Sequence, residues 1–392
     1  MRFSFLGARL LTRELLAIPM SADGRIDINS GVARLSKTIW GVLWRDDAAP
    51  TDTVFLFVHP ASNFLGHYAL EPLARRGVAA AGLATRYVGN DSTLIMENCV
   101  LDIAAAIAHL RSMGFGKVVL VGNSGGGGLA ALYQSQAEAP DIKATPAGDP
   151  PDLTDADLPP ADLLVMAMAH PGRAIVYTEG LDPAITDEAR PDRRDPELDM
   201  FAPGRTVPYP DDFVRAYRQG QLDRNRRITR WVQEQLTALA DGSHPMCRGD
   251  GPTPDDLPFV VHGTAADLRF LDLSLDPSDR RSGTLWGDPW VANFRPASLG
   301  HHTSLRSWLS QWSHDLSRAN APKHLPRVSV PVMVISGSAD VAAFPSHARS
   351  MYDAVAHDRR EWVEIAGADH YFQGRPDLAE RMCDHLVEWA AR

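Results

Sequence analysis

Gly122-Asn123-Ser124-Gly125-Gly126 follows the apolar run Lys117-Val118-Val119-Leu120-Val121 and precedes Gly127-Gly128-Leu129-Ala130-Ala131-Leu132-Tyr133. The pattern G-x-S-x-G is weak by itself. A strand before it and a helix after it give it force, because a serine held in a sharp turn between the two needs glycines at the flanks for close packing. This stretch predicts an α/β architecture with Ser124 displayed at a strand end as a candidate nucleophile. The competing reading is a glycine-rich turn around an inert serine.

The rest of the first third has the matching rhythm. Thr38 to Trp44 reads as a strand and Thr53 to Val58 as a fully buried one. Leu70 to Arg76 reads as a helix stopped by Gly77, Val78 to Ala84 as a strand, and Met96 to Met113 as a long helix stopped by Gly114. Strands separated by helices of this length favour parallel crossovers over a sandwich. Pro140 to Pro160, rich in Pro and Asp, is a surface loop, and Asp162 to Ala169 returns to the sheet. The rhythm resumes with the strand Val330 to Ser336, the helix Ser346 to His357, the strand Glu361 to Ile365 and a last helix from Pro376 to Ala391.

Between these halves the pattern breaks. Proline and charge become frequent, a helix carries Phe213, Val214, Tyr217, Ile228, Trp231, Val232 and Leu236, and aromatics recur at Trp286, Trp290, Phe294, Trp308 and Trp312. The stretch is too long for a loop and too irregular for a continuing sheet. The expected organisation is a core over residues 1–170, a lid or cap inserted over 171–325, and the rest of the core over 326–392. Trp308 and Trp312, spaced to share one face of a helix, are candidates for the substrate wall, and the competing reading makes them that helix's own core.

Composition narrows the partners. Net charge is −10 with basic residues scattered, which argues against nucleic acid and anionic membranes. Nowhere do eighteen apolar residues run together, so no membrane span is expected. Arg9, Arg13 and Glu14 interrupt any signal-peptide core, and Leu6 to Ile18 reads instead as an amphipathic segment packed on the body or on a partner chain, which leaves a homo-oligomer open. Cys99, Cys247 and Cys383 are too few and too dispersed for a disulfide framework, which suggests a reducing, cytoplasmic setting. His301, His302 and His314 lack companion carboxylates or cysteines, so no metal and no cofactor are expected.

Two further turns carry chemistry. Gly337-Ser338-Ala339-Asp340 leaves a buried strand, and Gly367-Ala368-Asp369-His370 follows the next one. With Ser124 they give the order Ser, Asp, His, which resembles the α/β-hydrolase superfamily over the whole chain outside the insertion. The resemblance implies a mostly parallel sheet flanked by helices. A serine hydroxyl needs a base to take its proton, and His370 is the candidate. The imidazolium then formed needs a carboxylate on its far nitrogen, and Asp340 is the candidate. As bare residues, Asp340 could also be a turn former and His370 a surface histidine. Asp369 is too close in sequence to reach the far nitrogen, and Asp267, in a similar Gly263-Thr264-Ala265-Ala266-Asp267 turn, is a decoy.

The same resemblance implies an oxyanion hole built from the amide of Gly125 and one from the loop after Thr53 to Val58. That loop reads His59-Pro60-Ala61-Ser62 where many relatives carry His-Gly. Pro60 has no N–H, so Ala61 is the positional choice and Ser62 the runner-up. The leading expectation is hydrolysis of a carboxylic ester or lactone of a bulky, largely apolar small molecule through an acyl-enzyme. Amidase, peptidase, acyltransferase, lyase or perhydrolase chemistry on the same triad remains open, as does a non-catalytic binding role.

Overall fold

The computed structural model describes residues 11–20, 37–296 and 299–392. In chain order its sheet strands are β1 (Leu11–Pro19), β2 (Thr38–Asp46), β3 (Thr53–Val58), β4 (Ala79–Ala84), β5 (Lys117–Ser124) and β6 (Leu163–Ala169). Helices α1 (Leu70–Arg75), α2 (Met96–Ser112) and α3 (Gly126–Glu138) alternate with them. After a long insertion come β9 (Val332–Gly337), α6 (Pro345–Ala354), β10 (Arg360–Ile365) and α7 (Pro376–Ala390). The insertion itself holds α4 (Arg173–Gly180), α5 (Asp211–Ala240) and a two-stranded antiparallel sheet of β7 (Pro258–Val260) and β8 (His302–Ser304).

The eight main strands form one sheet in the order β1-β2-β4-β3-β5-β6-β9-β10. Every pairing from β4 onward is parallel, and β1 and β2 run antiparallel at one edge. Parallel strands covered on both faces read as continuous apolar runs, and β3 is the clearest case. Its Val54, Leu56 and Val58 pack toward α2 and α3, while Phe55 and Phe57 pack toward α1 and α7. From β3 the chain goes to β4 on one side and returns to β5 on the other. The loops leaving β3 and β5 therefore diverge, opening a crevice at their carboxyl ends, which is where ligands bind in open parallel sheets.

The amphipathic N-terminal segment is an edge strand where it is described, and its residues 6–10 lie outside the described residues. Its period is two: Leu16, Ile18 and Met20 are buried against the core while Leu15 is 61% exposed. Among the described residues no helix is long and apolar enough to cross a membrane. Pro140 to Pro160 has no regular structure, yet Ile142, Leu153 and Leu158 within it are buried in the main core.

The insertion builds two small cores of its own. One gathers Tyr177, Ile228, Val232, Trp308, Leu309 and Trp312, and the other Met200, Tyr209, Phe213, Tyr217, Ala266 and Leu268. Because much of this segment is irregular, many backbone carbonyls have no ladder partner, and buried side chains supply the donors. Arg224, fully buried on α5, donates to the carbonyls of Asp182 (2.8 Å), His262 (2.7 Å) and Gly263 (3.2 Å) while pairing with Glu188.

In the core, the loop after β4 is fixed by another buried ion pair. Arg86 donates through Nε (2.9 Å) and Nη2 (2.6 Å) to Asp102 of α2, and both side chains are inaccessible to solvent. Removing one member leaves the other charge buried and unpaired. Asp102→Ala is expected to destabilise the protein by about 3–5 kcal/mol, read as a lower denaturant midpoint. An unchanged midpoint would show that the pair carries no such burden.

Candidate active site

Strand β5 ends on Ser124, whose φ of 54° lies in the left-handed region that side chains rarely adopt. The conformation is held from several sides. Pairing with β6 shifts register between Asn123 and Ser124, and Asn123 Nδ2 donates to the Ala167 carbonyl (2.8 Å) and the Tyr68 hydroxyl (3.2 Å). The His170 amide donates to the Ser124 carbonyl (3.2 Å). Helix α3 then starts against the end of β3. A Cβ at position 126 would fall inside the van der Waals shell of the Val58 carbonyl oxygen, so only glycine lets helix and strand meet there.

Ser124, Asp340 and His370 come together although they lie far apart in sequence. Ser124 Oγ stands 3.0 Å from His370 Nε2, and His370 Nδ1 stands 2.8 Å from Asp340 Oδ2. The second Asp340 oxygen accepts the amides of Ala342 (2.7 Å) and Ala343 (2.9 Å), which fixes the carboxylate in the turn after β9. A carboxylate accepts only, so Nδ1 carries the ring proton and Nε2 is left to accept from the serine hydroxyl. Asp340 and His370 are buried, while Ser124 is half-buried and opens onto a cavity. Asp369 is turned away, its carboxylate accepting the amides of Tyr371 (3.1 Å) and Gln373 (2.8 Å).

The cavity has a volume of about 350 Å³. The core contributes Ser124, Gly125, His59, Ala61, Ser62, Asp91 and Tyr371, and the insertion contributes Arg173, Val176, Phe270, Leu285, Trp286 and Leu299. Gly125 caps the N-terminus of α3, where the helix presents the positive end of its dipole. Ala61 and Ser62 are close by, but their amides are already engaged, both donating to His59 Nδ1 at 3.1 and 2.8 Å. The expectation that the Ala61 amide is free to serve as the second donor is corrected: His59 folds back over its own loop and takes it.

Trp308 and Trp312 are corrected as well. They do share a face, but of a single π-helical turn, Trp308–Trp312, and both are fully buried in the insertion. Trp308 Nε1 donates to Thr229 on α5 (2.9 Å), and the Trp312 ring lies 4.5 Å from that of Tyr177. Neither lines the cavity, where Trp286 is the tryptophan of the wall. Trp312 bears on the site through Arg173, whose guanidinium stacks on the indole at 4.4 Å and pairs with Asp91.

Two more histidines crowd the serine. His170, buried at the end of β6, and His59 are both pushed well below the ordinary imidazole range, first by burial. The next contribution comes from His347 for His170 and from Arg173 for His59. Both rings are therefore neutral at pH 7. Asp267 does reach the cavity wall, but burial is outweighed there by Arg218 and Arg269, which hold its carboxyl well below the usual range. It belongs to a buried ionic cluster with Glu179 and His347, the last 2.9 Å from Glu179. The sequence offers a signal for Arg173 and His59 only in hindsight, as charged and polar residues just past strand ends. Among the described residues no three His, Cys, Asp or Glu side chains stand close enough to share a metal ion.

Residues 298–392, which carry Asp340 and His370, match the family model described as PETase, PET hydrolase-like. No curated protein matches the chain. Similar solved structures include the esterase domain of a Rhodothermus marinus protein, 13% identical, with 97% of this chain and 98% of that one covered at a TM-score of 0.47. Est1E from Butyrivibrio proteoclasticus is 12% identical, with 94% and 100% covered and a TM-score of 0.43. A monoacylglycerol lipase from Paleococcus ferrophilus is 14% identical, with 86% and 92% covered and a TM-score of 0.41. With a mostly parallel sheet whose strand order reverses at β3, a serine in the left-handed region at the end of β5, and the order serine, aspartate, histidine along the chain, this protein has the α/β-hydrolase fold.

Proposed function

We propose that the protein is a serine hydrolase that cleaves a carboxylic ester or lactone of a bulky, largely apolar small molecule through an acyl-enzyme. The observation that carries this reading is the continuous chain Ser124 Oγ to His370 Nε2 to Asp340, at 3.0 and 2.8 Å, with the serine opening onto the cavity. The PET hydrolase-like match over residues 298–392 supports an ester as the bond cleaved.

In this reading Ser124 Oγ attacks the carbonyl carbon as its proton passes to His370 Nε2, and the carbonyl π pair moves onto oxygen. Asp340 holds the ring and offsets the charge of the imidazolium. The tetrahedral intermediate collapses, and the leaving alkoxide takes the proton from Nε2. Water then repeats the cycle: it gives a proton to His370, adds to the acyl carbon, and the acid leaves as Ser124 Oγ recovers its proton. The Gly125 amide receives the oxyanion in both halves.

The insertion acts here as a cap, our reading of residues 171–325. The nucleophile, base and acid all belong to the core, whereas Phe270, Leu285, Trp286 and Leu299 supply an apolar wall. A cavity of about 350 Å³ lies at the small end of the range typical of drug-sized ligands.

Ser124→Ala is expected to abolish both turnover of aryl esters and labelling by a fluorophosphonate while leaving the melting temperature intact. Labelling that survives in this variant would overturn the assignment. His370→Ala should lose several orders of magnitude in kcat, and Asp340→Asn about 10⁴, the scale of the same change in a serine protease triad.

The cap makes a separate prediction. Trp286→Ala should raise KM for bulky acyl or alcohol groups by about tenfold or more and leave a small aryl acetate little affected. Trp312→Ala should instead cost about 3–5 kcal/mol of stability. A panel of aryl esters graded in size, run beside thermal melts, separates the two, and equal losses on large and small substrates for Trp286→Ala would refute its role.

A further inference from the structure

The His59 ring has an unambiguous hydrogen-bonding state. Its Nδ1 faces two backbone amides, Ala61 at 3.1 Å and Ser62 at 2.8 Å, and an amide can only donate. Nδ1 therefore holds the lone pair, and the neutral ring carries its hydrogen on Nε2. Desolvation beside Arg173 opposes a second proton, so the ring keeps this tautomer. No partner for Nε2 is found among the described residues.

Nε2 also stands beside Gly125, whose amide is the first oxyanion donor in this reading. It lies 2.9 Å from the point a Cβ on Gly125 would occupy, directly beside the residue that follows the nucleophile. His59, Ser124 and Gly125 line the same cavity. The glycine at 125 is thus explained by the ring: any side chain there would collide with Nε2 or push it away. The two amides that could otherwise serve as second donor are turned onto Nδ1 of this same imidazole. Pro60, which has no N–H, cannot replace them.

We infer that His59 Nε2–H is the second oxyanion donor, acting with the Gly125 amide, so that a side chain does the work left open by the His-Pro loop. The inference rests on the serine-hydrolase reading. When Ser124 adds to the carbonyl, the oxygen gains the π pair and becomes a full acceptor. Nε2–H donates to it without transferring its proton, and the bond relaxes when the carbonyl reforms. A fixed donor of this kind is worth most in the transition state, so its loss falls on kcat and not on KM.

The test compares three substitutions. His59→Asn keeps an acceptor where Nδ1 sits but its amide N–H ends short of the position of Nε2, His59→Ala loses both groups, and His59→Gln can return an N–H to the position of Nε2. With a small aryl acetate, kcat should fall by about 10²–10³ in the Asn and Ala variants, and the Gln variant should regain about tenfold over Asn, all with KM little changed. An aryl trifluoromethyl ketone, which forms a tetrahedral oxyanion on the serine, should lose affinity in parallel with kcat. Gly125→Ala provides an independent variant, since it keeps the amide but places a Cβ 2.9 Å from Nε2, and kcat should fall there too. Wild-type kcat in His59→Asn or in Gly125→Ala overturns the inference, as does an Asn variant slowed with its ketone affinity intact. Because the wild-type enzyme is assayed and fluorophosphonate-labelled alongside, these failures leave the hydrolase reading standing. A wild-type protein that neither turns over esters nor labels at Ser124 overturns both.

Discussion

The approach of Gly126 to the carbonyl of Val58 is the contact on which the site depends. It brings the first turn of α3 against the last residue of β3, and each partner carries its neighbours with it. Ser124 is two residues before Gly126, and His59 immediately follows Val58. One backbone contact therefore sets the spacing between the serine and the loop of β3, and it does so within the parallel pairing of β3 with β5. The positive φ at Ser124 is the cost of turning so sharply, and the bonds from Asn123 and His170 hold the strained residue in place.

A second set of contacts ties the turn that carries Asp340 to the inserted segment. Ser338, two residues before the acid, hydrogen-bonds Asp279 of the insertion, and the Gly367 amide donates to Ser338 Oγ at 2.8 Å. Arg269 stacks on Phe344 at 3.9 Å while pairing with Asp267 and Glu179, and Glu179 reaches His347 on α6. Burial alone would raise the Glu179 carboxyl, yet Arg269 and His347 outweigh it and hold it at about 2. Asp340 is thus positioned by its own turn and by an ionic cluster spanning core and insertion.

Most of the core was legible in the sequence because its signals are local. β3 holds a five-residue apolar run, Val54 to Val58, bounded by Thr53 and His59, α2 stops at a glycine, and the elbow declares itself by its flanks. The turns that bring Ser124, Asp340 and His370 together were readable for the same reason, since each lies at or just past a strand end. What could not be read depends on contacts between distant segments. Trp308 and Trp312 have the spacing of a wall and the environment of a core, and only the position of α5 distinguishes the two. Ala61 has the right position in the loop, but its amide direction depends on the rotamer of His59. Buried Arg224 and Arg269 carry no periodic signature at all, because they answer carbonyls and carboxylates brought near by irregular backbone.

The cavity consequently has two walls with different physical origins. The wall holding Ser124, Gly125 and His59 hangs from strand ends buried in the sheet, where shifting one residue means shifting the ladder. The wall holding Phe270, Leu285 and Trp286 hangs from the insertion, whose own cores are small and whose backbone is held by side chains. An insertion joined to the core through exposed contacts alone could swing freely. This one is joined through buried contacts, Arg269 stacking on Phe344 and Glu179 hydrogen-bonding His347, and lifting the insertion away would leave these buried polar groups without their partners. Changes in cavity shape should therefore arise in the loop of Leu285 and Trp286, which carries exposed positions, and not by wholesale movement of the insertion away from the triad.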